Sequence, residues 1–175
     1  MNARARLRVA VGSDTIRAEA YRRARIVWAA EVGYQGAGEL AERLAELVTA
    51  EALPTVVQHV DVRLVAPVVQ VRELDGLPAV SDQGLIGIVT HQPQRFFRKN
   101  GVPLVTDAAW RGTAFRRAAP RIAVTAAVEE PIVAAIVSGM RAAGFVVVDI
   151  RPDASPEVAL SLLPGAERGE RHRAR

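Results

Sequence analysis

The residues that bear most on chemistry stand at 9–18, VAVGSDTIRA, which reads as a strand, a Gly-Ser turn and a second strand. Gly12, Ser13 and Thr15 form a degenerate phosphate-loop-like set, and Asp14 and Thr15 offer side-chain and backbone contacts to a phosphate. Gly-Ser-Asp is also ordinary hairpin chemistry, and that reading is favoured. Ala10 stands where a phosphate-handling turn of this kind would carry an acid. A second candidate, Gly36-Ala37-Gly38-Glu39-Leu40-Ala41, matches the G-x-G-x-x-A dinucleotide fingerprint. Its context argues against a cofactor. The preceding strand belongs to a meander, and Glu39 would put negative charge where a pyrophosphate should meet the helix N-terminus.

The other reactive residue types do not assemble. His59, His91 and His172 lie far apart with no acid at ligand spacing, so no metal site is expected. There is no cysteine, which excludes disulfides, thiol catalysis and thiolate ligands. The serines lack a G-x-S-x-G context. No catalytic residue, metal or cofactor is assigned. The net charge of +4 invites a nucleic-acid reading, but Lys99 is the only lysine among 23 basic residues. This is compositional bias towards arginine and alanine; no aromatic interleaving or nucleic-acid module accompanies it. No apolar run approaches the roughly 20 residues of a membrane span.

Stepping outward, the elements that would hold the turn form an antiparallel meander: strands at 7–11, 15–21 and 25–32, with connections too short for a parallel crossover. Residues 38–53 are an amphipathic helix with Leu40, Leu44, Leu47 and Val48 on one face, stopped by Pro54. A fourth strand at 60–65 completes a β-β-β-α-β lobe. After Ala66-Pro67 the order is a strand at 68–73, a helix capped by Ser81, strands near 102–109 and 121–127, a helix opened by Pro131 and closed by Gly144, and a strand at 145–150. That is a ferredoxin-like β-α-β-β-α-β arrangement. The fold class is thus α/β (α+β). Residues 1–66 form the first lobe, joined by a returning helix at 155–163; residues 67–152 are an inserted subdomain, and 164–175 a mobile tail. In the helix after Pro131, Ala134, Ala135 and Gly139 keep one side small, which would also let another backbone approach closely.

The order of four stretches resembles the first half of the actin-like proteins of type IV pilus and type II secretion machines, the PilM group. VAVGSDTIRA (9–18) resembles their opening strand-turn-strand, and EVGYQGAGELAERLAELVTA (31–50) their third strand and first helix. VDVRLVAPVVQVRELDGLP (60–78) resembles the passage into their inserted subdomain. RIAVTAAVEEPIVAAIVSGMRAAGFVVVDIRPDASPEVALSLL (121–163) resembles the return to the main lobe. The match covers about residues 7–163, and no single motif is diagnostic. The family's first turn typically has Asp-x-Gly-Ser, whose Asp organises metal and phosphates. Here the run is Ala10-Val11-Gly12-Ser13, so the Mg²⁺-holding charge is missing while Gly12, Ser13 and Thr15 remain. The family's second phosphate loop lies in a second domain, beyond the end of this sequence.

The resemblance implies a non-catalytic scaffold of a pilus or secretion assembly platform, cytoplasmic and peripheral to the inner membrane. Its partner would be the cytoplasmic N-terminal segment of a membrane-anchored protein, taken by a strand edge or the groove between lobes. Loss of the second domain implies an uncovered apolar face, to be buried by self-association or a second subunit. Two alternatives differ in class: a nucleotide-binding half-site completed by another chain, and a cell-division actin-like relative. The last would end in an amphipathic membrane-targeting helix, and AERGERHRAR (166–175) has no apolar face.

Overall fold

The computed structural model describes residues 5–49, 53, 57–98, 101–111, 122–153 and 158–164. Alternation of apolar and polar residues makes the first three strands: β1 (Arg6–Val11), β2 (Thr15–Arg22) and β3 (Arg25–Gly33), an antiparallel meander as expected. The β2–β3 turn is two residues long, with Arg23 and Ala24 at φ 48° and 63°. That left-handed pair matches the right-handed twist of the flanking strands. Helix α1 (Gly36–Thr49) follows, then β4 (His59–Leu64), which lies parallel to β1.

The inserted segment is β5 (Val69–Leu74), α2 (Asp82–His91), a single turn α3 (Pro93–Phe96), β6 (Leu104–Trp110) and β7 (Ala123–Glu129). Its three strands make a separate antiparallel sheet in the order β5-β7-β6. Ser81 caps α2 by accepting the Gly84 amide at 3.1 Å, as its sequence suggests. One face of this sheet packs Ala108, Ala123 and Ala127 on Leu85, Val89 and Phe97; the other sends Val124, Ala126 and Val128 into the main core. Burial on both sides explains why β7 is apolar from Ala123 to Val128 but for Thr125.

Helix α4 (Glu130–Ala142) and β8 (Val146–Pro152) depart from the expected arrangement. The sequence places both in a ferredoxin-like subdomain. Instead β8 pairs in parallel with β4, completing a five-stranded sheet in the order β3-β2-β1-β4-β8, and α4 packs along α1. The ferredoxin-like reading therefore keeps only β5, α2, β6 and β7. The physical reason lies at Gly139: a Cβ there would stand 2.5 Å from the Ala41 carbonyl oxygen. The missing side chain lets the two helix backbones meet, so the small face of α4 is used within the chain. Together they cover Leu7, Val9 and Val11 of β1, Ile16, Ala18 and Ala20 of β2, and Val60, Val62 and Leu64 of β4.

A second correction concerns the returning helix expected at 155–163. Residues 158–163, the part of it that is described, are not helical. Val158, Leu160 and Leu162 are buried at every second position, and the Leu162 amide donates to the Ile150 carbonyl at 2.7 Å. The segment is a strap along β8, and the Ser161 amide donates to Asp107 of β6 at 2.7 Å while its hydroxyl donates to Asp149 of β8 at 3.0 Å. It thus ties the insertion to the main sheet. Of the tail read at 164–175, residues 165–175 lie outside the described residues.

Candidate functional site

The β1–β2 turn forms because Gly12 and Thr15 close it: the Gly12 amide donates to the Thr15 carbonyl at 2.8 Å. Ser13 and Asp14 occupy its exposed tip. The hydroxyls of Ser13 and Thr15 both donate to the Asp14 carboxylate, at 3.2 and 3.0 Å. Gly12, Ser13 and Thr15 are brought together, but the Gly12 amide and both hydroxyls are committed inside the turn. A carboxylate sits among them, and the Ala10 methyl supplies no metal ligand. These groups do not fit a magnesium–phosphate ligand, which needs free donors and an acid aimed at the metal.

Tyr34, which the sequence reading passed over, anchors this turn from the β3–α1 junction. Its amide donates to the Asp14 carbonyl at 2.9 Å, and its hydroxyl donates to the Gly12 carbonyl. Burial, then the nearby Asp14 charge, hold the phenol above the ordinary tyrosine range. The signal was present in the sequence, an aromatic directly after the strand, but its partner lies 22 positions away.

The fingerprint stretch resolves as a helix start. Gly36 has φ 70°, and Glu39 accepts the Gln35 amide at 2.6 Å while Arg43 donates to Glu39 at 3.0 Å. The Gln35 bond, then Arg43, lower the Glu39 carboxyl below its usual range. A carboxylate thus occupies the helix end where a pyrophosphate would need bare amides. Among the described residues no group of three or more His, Asp or Glu is placed to hold a metal ion. His59 and His91 lie on separate elements, β4 and α2, and both are exposed. His172 lies outside the described residues.

The open face of the main sheet, opposite α1 and α4, is charged. Strand register arranges it in rows. Ala10 lies opposite Arg17 on one side and Arg63 on the other, and the row continues to Glu31 and Arg151. The next row sets Arg8 between Glu19 and Asp61, flanked by Ala29 and Asp149. Arg8, Ala10, Arg17, Glu19, Arg63 and Asp153 line a cleft of about 230 Å³.

The two sheet edges differ too. The strap hydrogen-bonds to β8, whereas β3 ends the sheet on the other side with Ile26 and Val27 about half exposed. Among the described residues no helix is long and apolar enough to cross a membrane.

No known protein family matches the sequence. No curated protein matches it either. Among solved structures, the chain is similar to the PilM-PilN type IV pilus biogenesis complex, with a TM-score of 0.63 at 17% identity over 84% of this chain and 47% of that one. It is also similar to the cytoplasmic domain of EpsL, an inner membrane component of the type II secretion system of Vibrio cholerae. There the TM-score is 0.55 at 15% identity, over 85% of this chain and 57% of that one. The fold is theirs. It is the actin-like α/β fold that the sequence order implied. The chain spans about half the length of the structures it matches.

Proposed function

We propose that this chain is a non-catalytic adaptor of a pilus or secretion assembly platform that binds the cytoplasmic segment of a membrane-anchored partner. The observation that carries the reading is the fold match over 84% of the chain to the PilM-PilN complex, a pilus biogenesis assembly. The turn geometry supports the non-catalytic part: Ala10 brings no carboxylate, and the hydroxyls of Ser13 and Thr15 are held by Asp14.

The edge of β3 is the docking element. It presents backbone donors and acceptors over nine residues, Arg25–Gly33, without proline or lysine to block pairing. An extended peptide adds there as a sixth strand, taking main-chain bonds for affinity and side-chain contacts for selectivity. The chain works at the cytoplasmic side of the inner membrane, where such a segment is offered.

The test is calorimetry against the cytoplasmic N-terminal peptide of the single-span protein from a pilus or secretion gene cluster carrying this gene. Saturable binding that is lost in Ala29→Pro, which removes a β3 amide, supports the reading. Absence of binding to the peptide, or phosphate release from Mg-ATP by the chain, overturns it.

A further inference from the structure

The open face carries an arrangement that the fold does not require. Arg63 and Arg151 stand directly opposite each other on neighbouring parallel strands, and like charges so placed destabilise a sheet. Three neighbouring arginines of this face are engaged. Arg17 pairs with Glu19 at 2.8 Å, Arg151 pairs with Asp149, and Arg8 lies 5.1 Å from the centre of the Tyr21 ring. Among the described residues Arg63 makes no ion pair. It stands half-buried beside Ala10, whose small side chain floors the cleft.

The acids of this face are distributed unevenly. Glu19 also accepts from the Tyr21 hydroxyl, and Asp149 also accepts from Ser161. Glu31 lies at the far end of the row beside Arg17. Asp61 and Asp153 remain near Arg63. Burial, then Arg151 and Arg8, hold the Arg63 guanidinium below its ordinary value, and the opposing pull of Asp153 and Asp61 is smaller. Arg63 thus stands among two arginines and two carboxylates, and the arginines act on it more strongly.

We propose that the cleft over Ala10 receives the carboxylate side chains of an acidic protein segment, with Arg63 as the anchoring fork and Arg8 and Arg151 beside it. A guanidinium binds carboxylate through two parallel N–H···O bonds. The volume selects the occupant: about 230 Å³ falls below the roughly 300–1,000 Å³ of small-molecule sites. It accommodates side chains from a macromolecule lying across the face, whose remaining contacts are with the charged rows. The site lies on the sheet face, separate from the β3 edge, and stands whether or not the chain serves a secretion platform.

The test uses a fluorescein-labelled octaglutamate peptide and anisotropy at low and moderate salt. Expected are saturable binding that weakens with salt, about tenfold or greater loss in Arg63→Gln, and loss in Ala10→Asp, which puts a negative charge on the floor. Arg141→Gln, exposed on α4 at the other side of the sheet, should bind within about twofold of the parent. Failure of the parent to bind, or equal binding by Arg63→Gln, overturns the proposal. So does displacement of the peptide by pyrophosphate or Mg-ATP at concentrations below the peptide's own Kd, which would make the cleft a phosphate site. Melting temperature separates binding from folding: removing one of two opposed arginines should leave it unchanged or raise it. A lowered value would make Arg63 structural and overturn the assignment.

Discussion

The two faces of the five-stranded sheet are built by the same strands and obey different rules. On β1, Leu7, Val9 and Val11 are fully buried against α1 and α4, while Arg6 and Arg8 point to the opposite, solvent side. The buried face decides the fold, because removing apolar surface from water outweighs any surface ion pair. The charged face is free of that constraint, so its composition records something other than folding. That separation explains how the buried face can hold the fold whatever residue stands at Ala10 on the opposite face.

Substitutions at neighbouring positions test the contrast most sharply. Leu7→Ala should cost about 2–5 kcal/mol, the usual range for emptying a packed leucine site. Each kcal/mol lowers the melting temperature by about 2–4 °C at this size, so calorimetry would read it easily. Gly139→Ala comes next, at about 1–3 kcal/mol, because the new methyl would meet Ala41 backbone and force α4 off α1.

Tyr34→Phe should cost about 1 kcal/mol by removing the hydroxyl bond to Gly12. It should also change the alkaline limb of stability. The folded tyrosine ionises above the unfolded value of 10.0, so its contribution is complete below that pH and disappears as pH rises through the higher folded value. Denaturant midpoints above pH 10 should therefore fall less steeply in Tyr34→Phe than in the parent. The smallest effect is expected on the open face: Arg8→Ala should cost under about 1 kcal/mol, the scale of an exposed cation–π contact. A loss at Arg8 as large as that at Leu7 would mean the charged face carries folding energy after all.

Much of the buried face was legible in the sequence. The meander, the helix with Leu40, Leu44, Leu47 and Val48 inward, and β4 all follow from periodicity and turn residues. Strand partners were less legible. The β-branched run of β8 shows that it is a strand, but nothing local chooses between β4 and the inserted sheet; the close approach at Gly139 does. The strap was misread because Ser155-Pro156-Glu157 is a helix-start signal. The burial of Val158, Leu160 and Leu162 at period two is a strand signal that was present and outweighed it.

At the candidate site, the chemistry of Ala10 was legible from its residue type alone. The commitment of the Ser13 and Thr15 hydroxyls to Asp14 was not, because it depends on turn geometry. The arginine row was invisible too. Arg17, Arg63 and Arg151 are scattered along the chain and meet only through register.

Hydrogen–deuterium exchange, recorded with and without the partner's cytoplasmic segment, tests most directly whether this lobe is retained for docking. The expected result is slowed exchange along Arg25–Gly33 on adding the segment, with no change at residues 12–15 on adding Mg-ATP. Unchanged β3 amides, together with protection of the turn by nucleotide, would contradict a docking role and make the turn a nucleotide site.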